Sequence, residues 1–131
     1  MVNRVLLDTQ VIFAAYYGHP LPQKVTSLLL DPDTERNISA ASVMEIAIKH
    51  AMKKAHFPEE RAREAVADLK LTVLPFTTQH AYRLFSLPMH HRDPFDRMII
   101  ATALAKGLPI VGSDGSFNPY KRDQNLKTIW K

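Results

Sequence analysis

Thirteen carboxylates are spread through this chain of 131 residues, and four of them stand where a charge is costly. Asp8 follows the apolar run Val5-Leu6-Leu7, and Asp114 follows Ile110-Val111-Gly112-Ser113. Glu45 is flanked by Met44 and Ile46, and Asp96 directly precedes Arg97-Met98-Ile99-Ile100. Ionised groups beside such runs are unfavourable unless they are paired or bound to a cation. Carboxylates that converge repel one another, and an all-oxygen ligand set favours a hard ion such as Mg2+ or Mn2+. An ion held in this way orients and ionises water and stabilises charge on a phosphate, so phosphodiester hydrolysis is the natural use of such a site.

Each of the four also has a structural use. Ser42-Val43-Met44-Glu45 has the spacing of a capping box, Asp96 falls at the third position of a helix, and Asp8 and Asp114 are each placed to cap a helix or turn immediately C-terminal to them. Cap and ligand are compatible roles for one residue. The other nine acids have simpler settings. Asp31, Asp33 and Glu35 lie in a polar loop; Glu59, Glu60, Glu64 and Asp68 fit a solvated helix face; Asp123 sits in the charged tail Lys121-Arg122-Asp123; and Asp93 precedes Pro94 as an N-cap.

The elements that must position these acids alternate between strand and helix. Short apolar strands are expected at Val5–Leu7, Asn37–Ala40, Thr72–Leu74, Pro109–Val111 and Lys127–Trp130. Helices are expected at Gln10–Tyr17, Pro22–Leu30, Ser42 to about Lys54, Pro58 to about Leu69, Thr78–Phe85, and Asp93-Pro94 through Lys106, where Gly107 stops the last of them. Alternation of this kind predicts an α/β fold with a mostly parallel sheet covered on both faces. In such sheets ligands bind beyond the carboxyl ends of the strands, and the predicted edge carries all four acids. With no repeat and no long linker, residues 1–131 read as one domain.

Composition narrows the classes further. The chain has no cysteine, which excludes a disulfide scaffold, a cysteine-ligated zinc or iron–sulfur site and a thiol nucleophile. No zinc-ligand spacing stands out among the six histidines. The apolar run after Met1-Val2-Asn3-Arg4 is too short for a signal-peptide core or a membrane span, so a soluble cytoplasmic protein without a membrane partner is expected. The net charge of +4 suits a polyanionic partner such as nucleic acid, and equally the solubility of a small protein.

Four segments together resemble the motifs of PIN-domain ribonucleases, above all the VapC-type toxins of prokaryotic toxin–antitoxin pairs. In order they are Leu6-Leu7-Asp8-Thr9, Ser42 to Lys49, His91-Arg92-Asp93-Pro94-Phe95-Asp96-Arg97 with the helix to Ala101, and Leu108 to Phe117. The resemblance spans essentially the whole chain and is carried most specifically by the Asp-Pro-Phe-Asp-Arg segment. It implies a three-layer α/β/α sandwich, with Asp8, Glu45 and Asp96 as core metal ligands and Asp114 completing the site. It further implies dependence on Mg2+ or Mn2+, endonucleolytic cleavage of RNA, a homodimer and a small antitoxin partner.

Thr9, Ser42, Asp93, Arg97 and Ser113 are candidates for substrate contact or for support of the ligands. The chain departs from the family pattern at Gln10, where relatives often carry Asn or His, and at Gly112, where they often carry a hydroxyl residue for which Ser113 is a substitute.

The remaining charged and aromatic groups are less specific. His90-His91-Arg92 suits contact with phosphate, and equally a solvated loop. Lys121-Arg122 could extend an RNA path, the basic helix end at Lys49, His50, Lys53 and Lys54 is accounted for by the helix dipole, and Phe13, Tyr16 and Tyr17 suit a core or a dimer surface.

Three other functions compete. A phosphohydrolase with Asp8 as nucleophile requires a second acid where Gln10 stands. A phosphoacceptor domain requires paired acids after the first strand, and only Asp8 is there. An inactive PIN-like module that binds RNA or protein keeps every ligand and cuts nothing.

Overall fold

The computed structural model describes residues 4–113 and 115–130. Five strands form one sheet: β1 (Arg4–Leu7), β2 (Glu35–Ser39), β3 (Leu71–Leu74), β4 (Ile110–Val111) and β5 (Thr128–Ile129). Their order is β3-β2-β1-β4-β5, and every pairing is parallel. Seven helices are interspersed: α1 (Thr9–Tyr17), α2 (Gln23–Leu30), α3 (Ala40–Ala51), α4 (Glu59–Asp68), α5 (Thr78–Ser86), α6 (Pro94–Lys106) and α7 (Asn118–Asp123).

The strands lack polar alternation because both faces of the sheet are covered. On β1, Val5 and Leu7 join a cluster with Val11 and Ile12 of α1, Val25 and Leu29 of α2, Ile46 of α3 and Phe57. Leu6, pointing the other way, joins Ile99, Ile100 and Ala103 of α6, Leu87, Phe117 and Tyr120. Two apolar layers flanking one sheet make a three-layer α/β/α sandwich, as the alternation of elements predicts. The aromatic group of α1 is structural as well. Tyr16 lies 4.0 Å from the ring of Phe57, and Phe13 meets that ring edge-on at 5.5 Å.

Two boundaries differ from expectation in ways that matter for the site. Strand β2 begins at Glu35, because Glu35 pairs with Arg4 across the β1–β2 ladder and Arg36 is buried by hydrogen bonds to the carbonyls of Asp31 at 2.6 Å and Leu69 at 2.9 Å. Helix α3 starts at Ala40, because Ser39 rather than Ser42 is its N-cap, accepting a hydrogen bond from the Ala41 N–H at 3.0 Å. The capping box expected at Ser42 and Glu45 is therefore absent, and Glu45 lies in the second turn. Helix α7, where a charged tail was expected, begins with Asn118-Pro119 and buries Tyr120.

The other helix ends obey their sequence signals. Asp93 caps α6 by accepting from the N–H groups of Phe95 and Asp96. Gly107 closes the same helix at φ +66°, with no heavy atom within 4 Å of where a Cβ would stand. Gly107→Ala should therefore cost about 1 kcal/mol from backbone strain alone, read as a lower urea midpoint at unchanged slope. No helix among the described residues is long and apolar enough to cross a membrane.

Candidate active site

The sheet's order reverses between β1 and β4: from β1 the chain proceeds outward to β2 and β3, then returns to lay β4 on the opposite side. A crevice opens at such a switch point beyond the carboxyl ends of the two strands. Asp8 stands at the end of β1 and Gly112-Ser113 at the end of β4. Asp114, expected to complete the site, lies outside the described residues.

Asp8 is buried, and its Oδ1 accepts the Thr9 N–H at 2.8 Å as N-cap of α1. The backbone opposite is drawn tight. A Cβ at Gly112 would stand 2.9 Å from Asp8 Cβ, 3.1 Å from Asp8 Oδ2 and 3.3 Å from the ring of Phe117. Glycine at 112 thus lets β4 approach Asp8 more closely than any side chain would. The neighbouring Ser113 hydroxyl donates to Gln10 Oε1 at 3.4 Å, so one departure from the family pattern, Gln10, is joined to the neighbour of the other, Gly112, across the end of the sheet.

The next residue, Thr9, ties α1 to α3. Its hydroxyl donates to Ser42 Oγ at 2.9 Å, with both side chains buried. Ser42 and Glu45 are three residues apart on α3 and share a helix face, so this bond brings the start of α1 to the face that carries Glu45. Glu45 is 5% exposed. Its Oε2 takes the Lys49 ammonium at 2.9 Å, while its buried Oε1 has no hydrogen-bond partner. A buried carboxylate oxygen without a partner is unfavourable, which makes it an open position for a cation.

Asp96 comes from α6, which packs against α3. Burial raises its pKa above the ordinary 3.8, Asp93 and Glu45 add to the rise by charge repulsion, and the hydrogen bond to His91 Nε2, at 2.6 Å, pulls the other way. The repulsion from Glu45 places both acids in one field. A carboxyl with a raised folded pKa gives up stability as pH rises from its unfolded pKa through its folded one, because the folded state retains the proton longer. In EDTA, the stability difference between the D96N variant and the parent should therefore shift in the variant's favour as pH rises from below 3.8, measured by thermal melts across that range.

The sequence leaves the support of this site largely unseen. Arg97, 8% exposed, turns into the protein rather than pairing with an acid. Its guanidinium donates to the carbonyls of Pro88 at 2.9 Å, Leu87 at 3.1 Å and Leu84 at 3.3 Å, and to Tyr120 Oη at 3.3 Å. Tyr120, fully buried on α7, donates to the Pro88 carbonyl at 2.7 Å and accepts from the N–H groups of His90 and His91 at 3.2 and 3.1 Å. The loop carrying His91 is thus pinned from two helices, with His90 also paired to Asp123, and His91 is held against Asp96. The Asn118-Pro119 start and the three-residue spacing of Phe117 and Tyr120 are the signals that reveal α7.

As the side chains stand, no three acids or histidines among the described residues are grouped to hold a metal ion. Asp96 feels the charges of Glu45 and Asp93, the Lys49 ammonium feels all three, and the residue after Asp8 is tied to the Glu45 helix by the Thr9–Ser42 hydrogen bond. The donors are all carboxylate oxygens, the set preferred by hard divalent ions, and the open Glu45 Oε1 fits such an ion.

An all-parallel sandwich with a buried acid, Asp8, at its switch point defines the class of this protein as an α/β domain of three layers. Residues 5–122 match the model of the PIN domain, and the chain belongs to that family. Solved structures share its fold. A chain of VapBC2 from Rickettsia felis, bound to a DNA fragment from its promoter, aligns with TM-score 0.72 at 19% identity, over 98% of this chain and 99% of that one. DNA-bound VapBC from Salmonella typhimurium gives 0.68 at 21% identity, over 98% of both chains. VapBC-5 of Mycobacterium tuberculosis, from the VapBC family of toxin–antitoxin systems, gives 0.63 at 20% identity, again over 98% of both. Among curated proteins none matches.

Proposed function

We propose that this protein is a metal-dependent endoribonuclease, the toxin of a toxin–antitoxin pair, in which Asp8, Glu45, Asp96 and Asp114 hold Mg2+ or Mn2+. The observation that carries this reading is the buried Glu45 carboxylate, with one oxygen open, in the same field as the destabilised charge of Asp96. Membership of the PIN family and the likeness to chains of VapBC complexes support the toxin assignment.

When bound, the ion supplies an activated water and neutralises charge on the scissile phosphate. The chain's own residues do the rest. Asp8 is held by its cap on Thr9, Asp96 by His91, and His91 by the Tyr120 and Arg97 hydrogen bonds, so the carboxylates are oriented before substrate arrives. The substrate strand has a path beside them. A groove of about 460 Å³ runs from Gly112 and Ser113 past Asn118 to Trp130, with Lys24 and Lys121 among its lining. Two lysines from separate helices suit a phosphate backbone, and an aromatic side chain suits an unpaired base. Gly112 belongs both to this groove and to the wall against Asp8, so a strand in the groove passes beside Asp8.

The same reading includes a small antitoxin and a second copy of this chain as partners. The exposed apolar side chains Tyr82, Phe85 and Met89 on and after α5 suit a covered surface. The test is incubation of purified, partner-free protein with total RNA in Mg2+, in Mn2+ and in EDTA. Discrete cuts that vanish in EDTA are expected; folded protein that cuts nothing would turn the reading to a PIN-like binding module.

A further inference from the structure

We infer that Lys49 is the resident counter-cation of Glu45, and that its ammonium on Oε2 competes with a divalent ion at the open Oε1 of the same carboxylate. Lys49 then sets the metal affinity of the site; the inference rests on the metal-site reading above.

Four observations carry it. First, Glu45 is buried and a buried carboxylate requires a cation, and Lys49 Nζ meets that need at 2.9 Å from Oε2. The pair has the i,i+4 spacing with the acid on the N-terminal side, the favoured orientation on a helix. Second, the contact occupies only one side of the carboxylate: the buried Oε1 has no hydrogen-bond partner, so an ion there and the ammonium on Oε2 would share one carboxylate.

Third, Lys49 has somewhere to go. Its side chain is 42% exposed and its Nζ lies 5.4 Å from the centroid of the Phe13 ring, so release from Glu45 leaves the ammonium between solvent and an aromatic face. Fourth, the acids are not grouped for a metal among the described residues, and Glu45 is the one turned on to the lysine. A carboxylate engaged with one cation binds a second less well, because the two cations repel. Neutralising Lys49 therefore destabilises the metal-free state and leaves the loaded state free of that repulsion, so affinity rises.

The experiment is calorimetric titration of Mn2+ into the purified full chain without RNA, for the parent and the K49M, K49Q, K49R and D8N variants. Both K49M and K49Q are expected to bind Mn2+ at least about fivefold more tightly than the parent, the low end of ordinary coupling between two sites. K49R, which keeps the charge, is expected to stay close to the parent, and D8N to weaken binding. In EDTA, K49M is expected to melt below the parent and to gain more on adding Mn2+. A parent that binds Mn2+ with K49M and K49Q no tighter would overturn the competition and leave the metal site standing. A parent that binds no Mn2+ would overturn the metal site itself, and the inference with it.

Discussion

The Asp8→Asn variant is expected to fold like the parent and to cut RNA at least about a thousandfold more slowly, a loss of roughly 4 kcal/mol in transition-state stabilisation. The two halves of this expectation come from the two uses of one side chain. As N-cap of α1, Asp8 offers Oδ1 to the Thr9 N–H, and the carboxamide oxygen of asparagine does the same, so the helix start survives. In the proposed metal site Asp8 would offer negative charge, which asparagine lacks. Its fit against Gly112 is unchanged, because the two side chains are nearly isosteric. The check is a single-turnover cleavage assay beside a urea unfolding curve. A variant that unfolds early would mean that Asp8 is chiefly structural; one that cuts at the parent's rate would remove it from the site.

The largest effect on stability is expected at Arg97. Its guanidinium is buried and ties Leu84, Leu87 and Pro88 to Tyr120, so replacing it leaves main-chain carbonyls inside the protein without donors. Arg97→Met fills much of the same volume and should still lower unfolding free energy by about 3 kcal/mol, since each buried group left unsatisfied costs roughly 1–3 kcal/mol. Arg97→Lys should recover little, because one ammonium cannot span carbonyls that a planar fork reaches. Urea midpoints measure both. A loss under about 1 kcal/mol for R97M would show that the loop holds itself and that the arginine is incidental.

Asp8 and Arg97 differ in how far the sequence makes them legible. Local signals read well: Asp8 and Asp93 are caps because each is an acid at the start of a helix, and Gly107 ends α6 because only a left-handed residue closes it cheaply. The alternation of apolar runs gives the layered sheet, and the end of each run marks an edge where an acid is conspicuous. Long-range contacts read poorly. Nothing local announces that Arg97 turns into the protein, since an arginine beside an acid reads equally as an ion pair or a phosphate contact. Tyr120 is hidden by the charges after it, which make α7 look like a solvated tail. Lys49 is hidden among neighbouring basic residues, although its spacing from Glu45 is open to view. Ser42 looks like the cap of α3, but the ladder of β2 with β3 continues to Ser39 and leaves that residue to cap the helix.

Whether these carboxylates hold a divalent ion is tested most directly by anomalous diffraction from crystals soaked in Mn2+. A peak bounded by the carboxylate oxygens of Asp8 and Asp96, on the side of the open Glu45 oxygen, is expected, and so is its loss in D8N crystals. A peak only at other acids, or none in crystals where those carboxylates face open solvent channels, would contradict the carboxylate metal site.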